Sequence, residues 1–321
     1  MSKRVLYIMD PLEKVDPQGD TSLALIWESQ KRGYENYFCE IHELGLENEM
    51  GYSLCQSFEL SAYPDEPVDI SWHGEKTLHF FDDFDFIWMR KDPPVDQLFM
   101  TATMILDHHN PKKTWVVNNP QALRVANEKL WVHFAKAFFP KTVVSSNAKI
   151  LLTAAAEMKK VVLKPIDAAG GYGIFVFSHD DRNLRSAIEV LSARGTKPII
   201  LQEYLPEITQ GDKRVILLGG ECLGAVTRLP GGTDHRANLH VGGQAASGKI
   251  DDLDKKVAAF LKPHLLQLGL HFVGIDLIGD KLTEVNVTSP TGIREINRLE
   301  SRGETDLCEV LIWNYLEQNK T

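Results

Sequence analysis

His271-Phe272-Val273-Gly274-Ile275-Asp276-Leu277-Ile278-Gly279-Asp280-Lys281-Leu282-Thr283-Glu284-Val285-Asn286-Val287-Thr288-Ser289-Pro290 reads as two strands around a turn at Gly279-Asp280. Val273, Ile275 and Leu277 alternate on the first strand and Val285 and Val287 on the second, which defines one apolar face. For both sets to share a face, the connection must hold an odd number of residues. A three-residue turn, 279–281, pairs Leu277 with Thr283, Ile275 with Val285 and Asp276 with Glu284. The opposite face then carries Asp276, Glu284 and Asn286. Two carboxylates and an amide oxygen are hard ligands which, with nucleotide phosphates, suit Mg²⁺. The alternative is the solvated face of an amphipathic hairpin, and repulsion between facing carboxylates counts against it.

Upstream, the pattern predicts strands at 161–165, 174–177, 199–204, 214–218 and 225–229, joined largely without helices, which means antiparallel pairing in an α+β region. Between the first two lies Lys164-Pro165-Ile166-Asp167-Ala168-Ala169-Gly170-Gly171-Tyr172-Gly173. Such a loop offers unhindered backbone N–H groups, at Gly170 and Gly171 above all, to phosphate oxygens beside a lysine. It runs into a strand and not a helix, so it is neither a Walker loop nor a dinucleotide fingerprint; the competing reading is a plain β-hairpin. Gly243-Gln244-Ala245-Ala246-Ser247-Gly248-Lys249 matches G-x-x-x-x-G-K, but Ile250 stands where Ser or Thr is required. Arg214, Arg228, Arg236 and Arg294 offer guanidinium forks for an anionic substrate or a transferred phosphoryl group. Residues 230–248 hold little that anchors a core and are bracketed by Gly231-Gly232 and Gly242-Gly243, which predicts a mobile lid carrying Arg236 and Asn238.

The N-terminal part alternates strand and helix: a strand at 5–9, a loop to 20, a helix at 21–32 closed by Gly33, and a strand at 37–41. That order implies a parallel α/β sheet with right-handed crossovers. Residues 43–83 show no sustained period and read as irregular with short strands. A strand at 84–89 ends at Arg90-Lys91-Asp92-Pro93-Pro94, where two prolines stop the ladder. Ligands of open α/β sheets gather at such strand ends, so Arg90 and Asp92 are also candidates. After a strand at 115–117, Asn119-Pro120 opens a helix expected to run through 138, and the first domain boundary falls near Pro120. A strand at 142–144 and a helix opened by Asn147 and running to 158 follow.

With 321 residues the chain has room for about two domains. Its formal net charge of −9 repels polyanions, so general nucleic-acid binding is not expected. The apolar run after Lys3-Arg4 is too short for a signal peptide, and no run of 18 apolar residues spans a membrane. Cys39, Cys55, Cys222 and Cys308 form no C-x-x-C pair and read as reduced cytoplasmic thiols.

Asn127-Glu128-Lys129, the Lys164 loop, Gln202-Glu203-Tyr204-Leu205, Asp212-Lys213-Arg214 and the hairpin from Asp276 to Asn286 together resemble the ATP-grasp ligases. The runs Met89-Arg90-Lys91-Asp92-Pro93-Pro94, Asn127-Glu128-Lys129-Leu130, Gly211-Asp212-Lys213-Arg214-Val215 and Leu282-Thr283-Glu284-Val285-Asn286-Val287-Thr288-Ser289-Pro290 resemble one family of them, the bacterial glutathione synthetases. The resemblance covers nearly the whole chain. It implies an ATP-grasp fold: an N-terminal α/β substrate-side domain at 1–121 and an ATP-grasp region at 122–321, with a nucleotide lid subdomain at about 130–198 and a catalytic subdomain at about 199–321. It further implies that Lys129 and Lys164, with the loop at Gly170-Gly171, contact ATP phosphates, that Gln202, Glu203, Tyr204 and Leu205 hold the adenine, and that Asp212 lies near the ribose. Asp276, Glu284 and Asn286 would bind Mg²⁺, or Mn²⁺ in its place; Arg214, Arg228 and Arg236 would act at the reacting phosphate; Asn238, Ser289 and Arg294 would face the substrates. The implied reaction joins γ-L-glutamyl-L-cysteine to glycine through an acyl phosphate, giving ADP and phosphate, in a cytoplasmic homotetramer or dimer. Rival readings are a carboxylate–amine ligase with another acceptor and a noncatalytic nucleotide-binding protein similar to synapsin. The resemblance departs at Ala168-Ala169 and around His235 and His240.

Overall fold

The computed structural model describes residues 2–63, 69–167, 170–231 and 244–320. Seven strands form the first sheet: β1 (Arg4–Ile8), β2 (Glu35–Cys39), β3 (Leu44–Glu47), β4 (Met50–Leu60), β5 (Ile70–Phe80), β6 (Phe86–Met89) and β7 (Trp115–Val117). Their order is β3-β4-β2-β1-β6-β7, with β5 on the far side of β4. The pairs of β1 with β2 and β6, and of β6 with β7, are parallel as the strand–helix alternation requires. The chain leaves β1 toward β2 and returns to β6 on its other side, so the order reverses at β1/β6, where Arg90 follows β6. Helix α1 (Thr21–Lys31) is capped by Asp20, whose side chain accepts from Leu23 N, and Gly33 takes up φ +78° beyond its end. Helices α2 (Gln97–Leu106) and α3 (Pro120–Val125) complete this part.

Two expectations are corrected here. The described part of residues 43–83 is not irregular with short strands, because β4 and β5 are 11-residue strands forming an antiparallel ribbon. Most of β5 is exposed and its register with β4 slips between Cys55 and Ser57, so no alternation survives in the sequence. Nor does α3 run to 138. The Asn127 side chain accepts from Lys129 N and Leu130 N, turning the chain into a short 3₁₀ stretch at Trp131–Phe134.

The second sheet holds β8 (Thr142–Ser145), β9 (Lys160–Pro165), β10 (Phe175–Ser178) and β11 (Ile199–Glu203), all antiparallel in the order β10-β9-β11-β8. Helices α4 (Ala148–Met158) and α5 (Leu184–Leu191) close a core of its own around Leu151, Val161, Leu163 and Ile188. α5 was not expected between β10 and β11; Leu184 and Ile188, four apart, are its buried stripe.

The third sheet holds β12 (Asp212–Leu218), β13 (Glu221–Leu229), β14 (Gln244–Gly248), β15 (Phe272–Ile278) and β16 (Lys281–Asn286), antiparallel in the order β14-β13-β12-β15-β16. Three helices follow the chain: α6 (Asp252–Leu268), α7 (Ile293–Leu299) and α8 (Cys308–Asn319). Residues 244–248, expected in the lid, are instead strand β14 paired with β13, which also rules out a phosphate loop there.

The first and third sheets share cores. Leu6, Ile87 and Val116 belong with Ile275, Val285 and Leu265 in one cluster, and Tyr7, Trp88 and Val117 with Phe272, Ile293 and Trp313 in another. Asn118, at the end of β7, is the polar link between them. Its Nδ2 donates to Phe272 O at 2.7 Å and Val287 O at 2.8 Å, and its Oδ1 accepts from His271 N at 2.8 Å and Phe272 N at 2.9 Å. Replacing this buried amide by alanine leaves those backbone groups unpaired. Asn118→Ala should therefore lower the unfolding free energy by about 3 kcal/mol in urea titrations followed by tryptophan fluorescence; a loss under about 1 kcal/mol would contradict this.

Candidate active site

The deciding hairpin forms with the expected pairs at its site end and a different turn. Gly274 faces Asn286, Ile275 faces Val285, and Asp276 faces Glu284. The connection is the two residues Gly279-Asp280, and the odd residue is a bulge: Leu277 faces Leu282, leaving Thr283 unpaired, with its Oγ1 donating to Asp276 O at 3.1 Å. A two-residue turn plus one bulged residue preserves the parity that a three-residue turn would give, so Val273, Ile275, Leu277, Val285 and Val287 all enter the core.

Because β12 pairs with β15 and β15 with β16, Arg214, Asp276 and Glu284 form one row across three strands. Asp212 and Arg228 face each other two residues further along, on the same side. The next row inward, Ala225, Val215, Ile275 and Val285, is buried on the other side. Alternation thus puts the charges and the first core on opposite sides of the sheet, while Val226, opposite Arg214 in the same row, is buried in the second core at the edge of the charged face.

Arg214 holds Asp276 with two bonds, Nε to Oδ1 at 2.8 Å and Nη2 to Oδ2 at 2.7 Å. Arg228 Nη2 reaches Asp212 Oδ2 at 2.5 Å and Asp276 Oδ2 at 3.0 Å. Asn286 Nδ2 donates to Asp276 Oδ2 at 3.1 Å, leaving its Oδ1 as the acceptor on this face. A Cβ at Gly274 would lie 3.5 Å from Arg214 Nε and 3.1 Å from Pro290 Cβ, so glycine there leaves the guanidinium its place. Lys129 and Lys164 arrive from other elements, with Nζ at 3.7 and 3.8 Å from Glu284 Oε1. Glu284's side chain remains 22% exposed against 4% for Asp276, so it is the carboxylate nearer to an incoming ligand. The loop after Lys164 turns through positive φ at Gly170, Gly171 and Gly173.

The charges are tuned by this packing. Burial alone would raise the Asp276 carboxyl, but Arg214 and Arg228 overcome it and hold it well below the carboxylate range. At Asp212 burial prevails over Arg228, and Asp276 adds repulsion, pushing the carboxyl up to about 6. Burial lowers Lys164 against the pull of Glu284, and it raises Glu128 against Lys129 and Thr288. Asp212 Oδ1 and Arg228 Nε are buried with no hydrogen-bond partner among the described residues. Four cations face three carboxylates here, which leaves a surplus for an anion.

The oxygen set fits a divalent ion that arrives with phosphate. Asp276, Glu284 and Asn286 share one face and offer only hard ligands, with Asp276 held ionised. No three His, Cys, Asp or Glu side chains among the described residues group into an ion cage. Ligand phosphates would complete the shell.

The remaining candidates lie around this face. Gln202 to Leu205 form the crossing from the second sheet to the third. There Gln202 Nε2 donates to Thr142 Oγ1 at 2.8 Å, Glu203 Oε1 accepts from Lys141 N at 2.8 Å, and Lys160 Nζ sits 3.8 Å from the Tyr204 ring centre. Ser289 follows the hairpin, half-buried. Arg294, on α7, turns toward the N-terminal loop, donating to Pro17 O and lying 5.0 Å from the Tyr63 ring centre. Arg90 is buried between the parts: Nε donates to Ser22 Oγ at 3.0 Å and Nη2 to Pro290 O at 3.1 Å. Asp92 N donates to Asp10 Oδ2 at 3.2 Å. Arg236 and Asn238, with the central part of the expected lid, lie outside the described residues. Sequence reasoning gave no role to Asn118, Glu128 or His133. The first two bind backbone more than 150 residues away, which leaves no local signal. His133, lowered by burial and by Lys164, marks itself only once the lysine is placed beside it.

Models of two families match the chain: the prokaryotic glutathione synthetase N-terminal domain over residues 4–124 and the prokaryotic glutathione synthetase ATP-grasp domain over residues 128–301. Glutathione synthetase of Synechococcus elongatus is 42% identical over 304 residues, covering 92% of this chain and 94% of that one. The glutathione synthetase of Brucella melitensis is 36% identical over 320 residues and covers 100% of both chains. Among solved structures, D-cycloserine synthetase superposes with a TM-score of 0.67 at 16% identity, over 99% of this chain and 100% of that one, which shows a shared ATP-grasp fold.

The Asp212 carboxyl supplies a pH signature. Its folded-state pKa, about 6, lies above its unfolded value near 4, so the stability it contributes is complete below pH 4 and is lost as pH rises through 6. In metal-free buffer without nucleotide, the gap between wild-type and Asp212→Asn melting temperatures should shift in favour of the variant between pH 5 and 7. A gap independent of pH would contradict the assignment.

Proposed function

The chain belongs to the prokaryotic glutathione synthetase family, and from that premise we propose that it joins γ-L-glutamyl-L-cysteine to glycine at the expense of ATP, releasing glutathione, ADP and phosphate. The observation that carries the reading is the row Arg214, Asp276, Glu284 with Lys129 and Lys164 closing on it. In this reading the triphosphate lies between the two lysines and the turn at Gly170-Gly171, while Gln202, Glu203, Tyr204 and Leu205 enclose adenine and Asp212 faces the ribose. Asp276, Glu284 and the Asn286 Oδ1 would hold Mg²⁺, or Mn²⁺ in its place. A bound divalent ion supplies charge neutralisation at the phosphate oxygens.

The cysteinyl carboxylate attacks the γ-phosphorus in line, ADP leaves, and an acyl phosphate forms. The unprotonated glycine amine then adds to the acyl carbon, and the tetrahedral adduct expels phosphate. Arg214 and Arg228 counter the charge on the transferred group, and the chain supplies positioning and electrostatics without a covalent intermediate of its own. Arg214 must share its hold on Asp276 for this, which its remaining Nη1, 3.4 Å from Thr291 O, allows. Arg236 would act at the same phosphate, and Asn238, Ser289 and Arg294 would bind the substrates. The reading extends to a substrate-side domain at 1–121, an ATP-grasp region at 122–321 and a cytoplasmic homo-oligomer, tetramer or dimer; no helix among the described residues is long and apolar enough to cross a membrane.

ADP release should require ATP, γ-glutamylcysteine, glycine and a divalent ion together. Turnover independent of glycine would contradict the acceptor, and hydroxylamine trapping without peptide product would point to another amine. Glu284→Ala should keep its far-UV circular dichroism and lose at least 100-fold in kcat; activity within threefold of wild type would remove Glu284 from the ion site.

A further inference from the structure

Among the described residues β16 is the outer strand of its sheet, so one edge of the strand bearing Glu284 and Asn286 meets no further strand there. Glu128 takes that place. Its main-chain O accepts from Val285 N at 2.9 Å, and its side-chain Oε1 accepts from Val287 N at 3.0 Å, Thr288 N at 3.1 Å and Thr288 Oγ1 at 2.8 Å. One residue therefore satisfies alternate outward amides that a neighbouring strand would otherwise bind, and a carboxylate gathering three donors makes charge-assisted bonds. The next residue, Lys129, extends to Glu284 on the site face. Backbone edge and ligand are set by the same two-residue step.

We infer that Glu128 is a positioning residue for the divalent-ion site: by pinning the edge of β16 it fixes the spacing of the Glu284 and Asn286 oxygens against Asp276. This rests on the proposed function, which assigns those oxygens to the ion. Glu128 touches neither nucleotide nor ion in this account, and it acts through Val287 and Thr288.

The test compares wild type with Glu128→Gln and Thr288→Val by two readouts. Amide hydrogen exchange reports the edge: in Glu128→Gln the amides of Val287 and Thr288 should exchange at least tenfold faster, while that of Val285, bonded to the unchanged main-chain O, should move less. Mn²⁺ titration by electron paramagnetic resonance, with a non-hydrolysable ATP analogue, reports the ion: its Kd should rise at least tenfold in Glu128→Gln. Thr288→Val removes one donor and keeps the charge, so it should raise that Kd about threefold; no change there, with a rise only in Glu128→Gln, would mean that Glu128 acts as a charge and would overturn the positioning role. Faster exchange with unaltered Mn²⁺ affinity would make Glu128 merely structural and overturn it as well. If Glu128→Gln does not fold, Thr288→Val decides alone. Wild-type protein that takes up no Mn²⁺ with nucleotide would instead overturn the proposed function, and this inference with it.

Discussion

The two-point clamp of Arg214 on Asp276 is the constraint around which the site is arranged. A buried carboxylate is tolerable only when paired, and this one is paired twice, by Arg214 and by Arg228. The clamp needs β12 and β15 in register, and that register depends on the apolar row on the other side of the same sheet. Packing and charge are therefore set by one alternation. The two neighbouring carboxyls are thereby set apart: the arginines hold Asp276 ionised, whereas burial, with repulsion from Asp276, raises Asp212 against the pull of Arg228.

The site is assembled from all the layers. The third sheet supplies the carboxylates and both arginines, the second sheet supplies Lys164, and the segment between α3 and β8 supplies Lys129. Asn118 binds the hairpin's two strand ends to β7, and Glu128 closes its outer edge. The second sheet has its own core, whereas the first and third share theirs. The charged face, where Lys164 of the second sheet meets Glu284 of the third, therefore lies between a firmly joined pair of layers and a separately packed one, the arrangement that lets one layer move against the other.

Much of this was legible in the chain. Period-two alternation placed the charged face of the hairpin and its facing carboxylates, and the parallel N-terminal order followed from alternating strand and helix signals. What escaped had physical causes. The Thr283 bulge replaced one turn residue without changing parity, so the faces were right while the turn was wrong. The β4–β5 ribbon buries too little of β5 to print a pattern. Helix α3 ends early because Asn127 bonds its own downstream amides, a choice that helix periodicity does not reveal. Asn118 and Glu128 carry ordinary polar side chains whose partners are distant backbone atoms, and only the folded register identifies them.

The most direct measurement is a crystal structure of the chain with Mg²⁺ and a non-hydrolysable ATP analogue. The account requires an ion within about 2.1 Å of oxygens from Asp276, Glu284 and Asn286 as well as the phosphates. An ion held by phosphates and water alone, with those three side chains standing away from it, would contradict it.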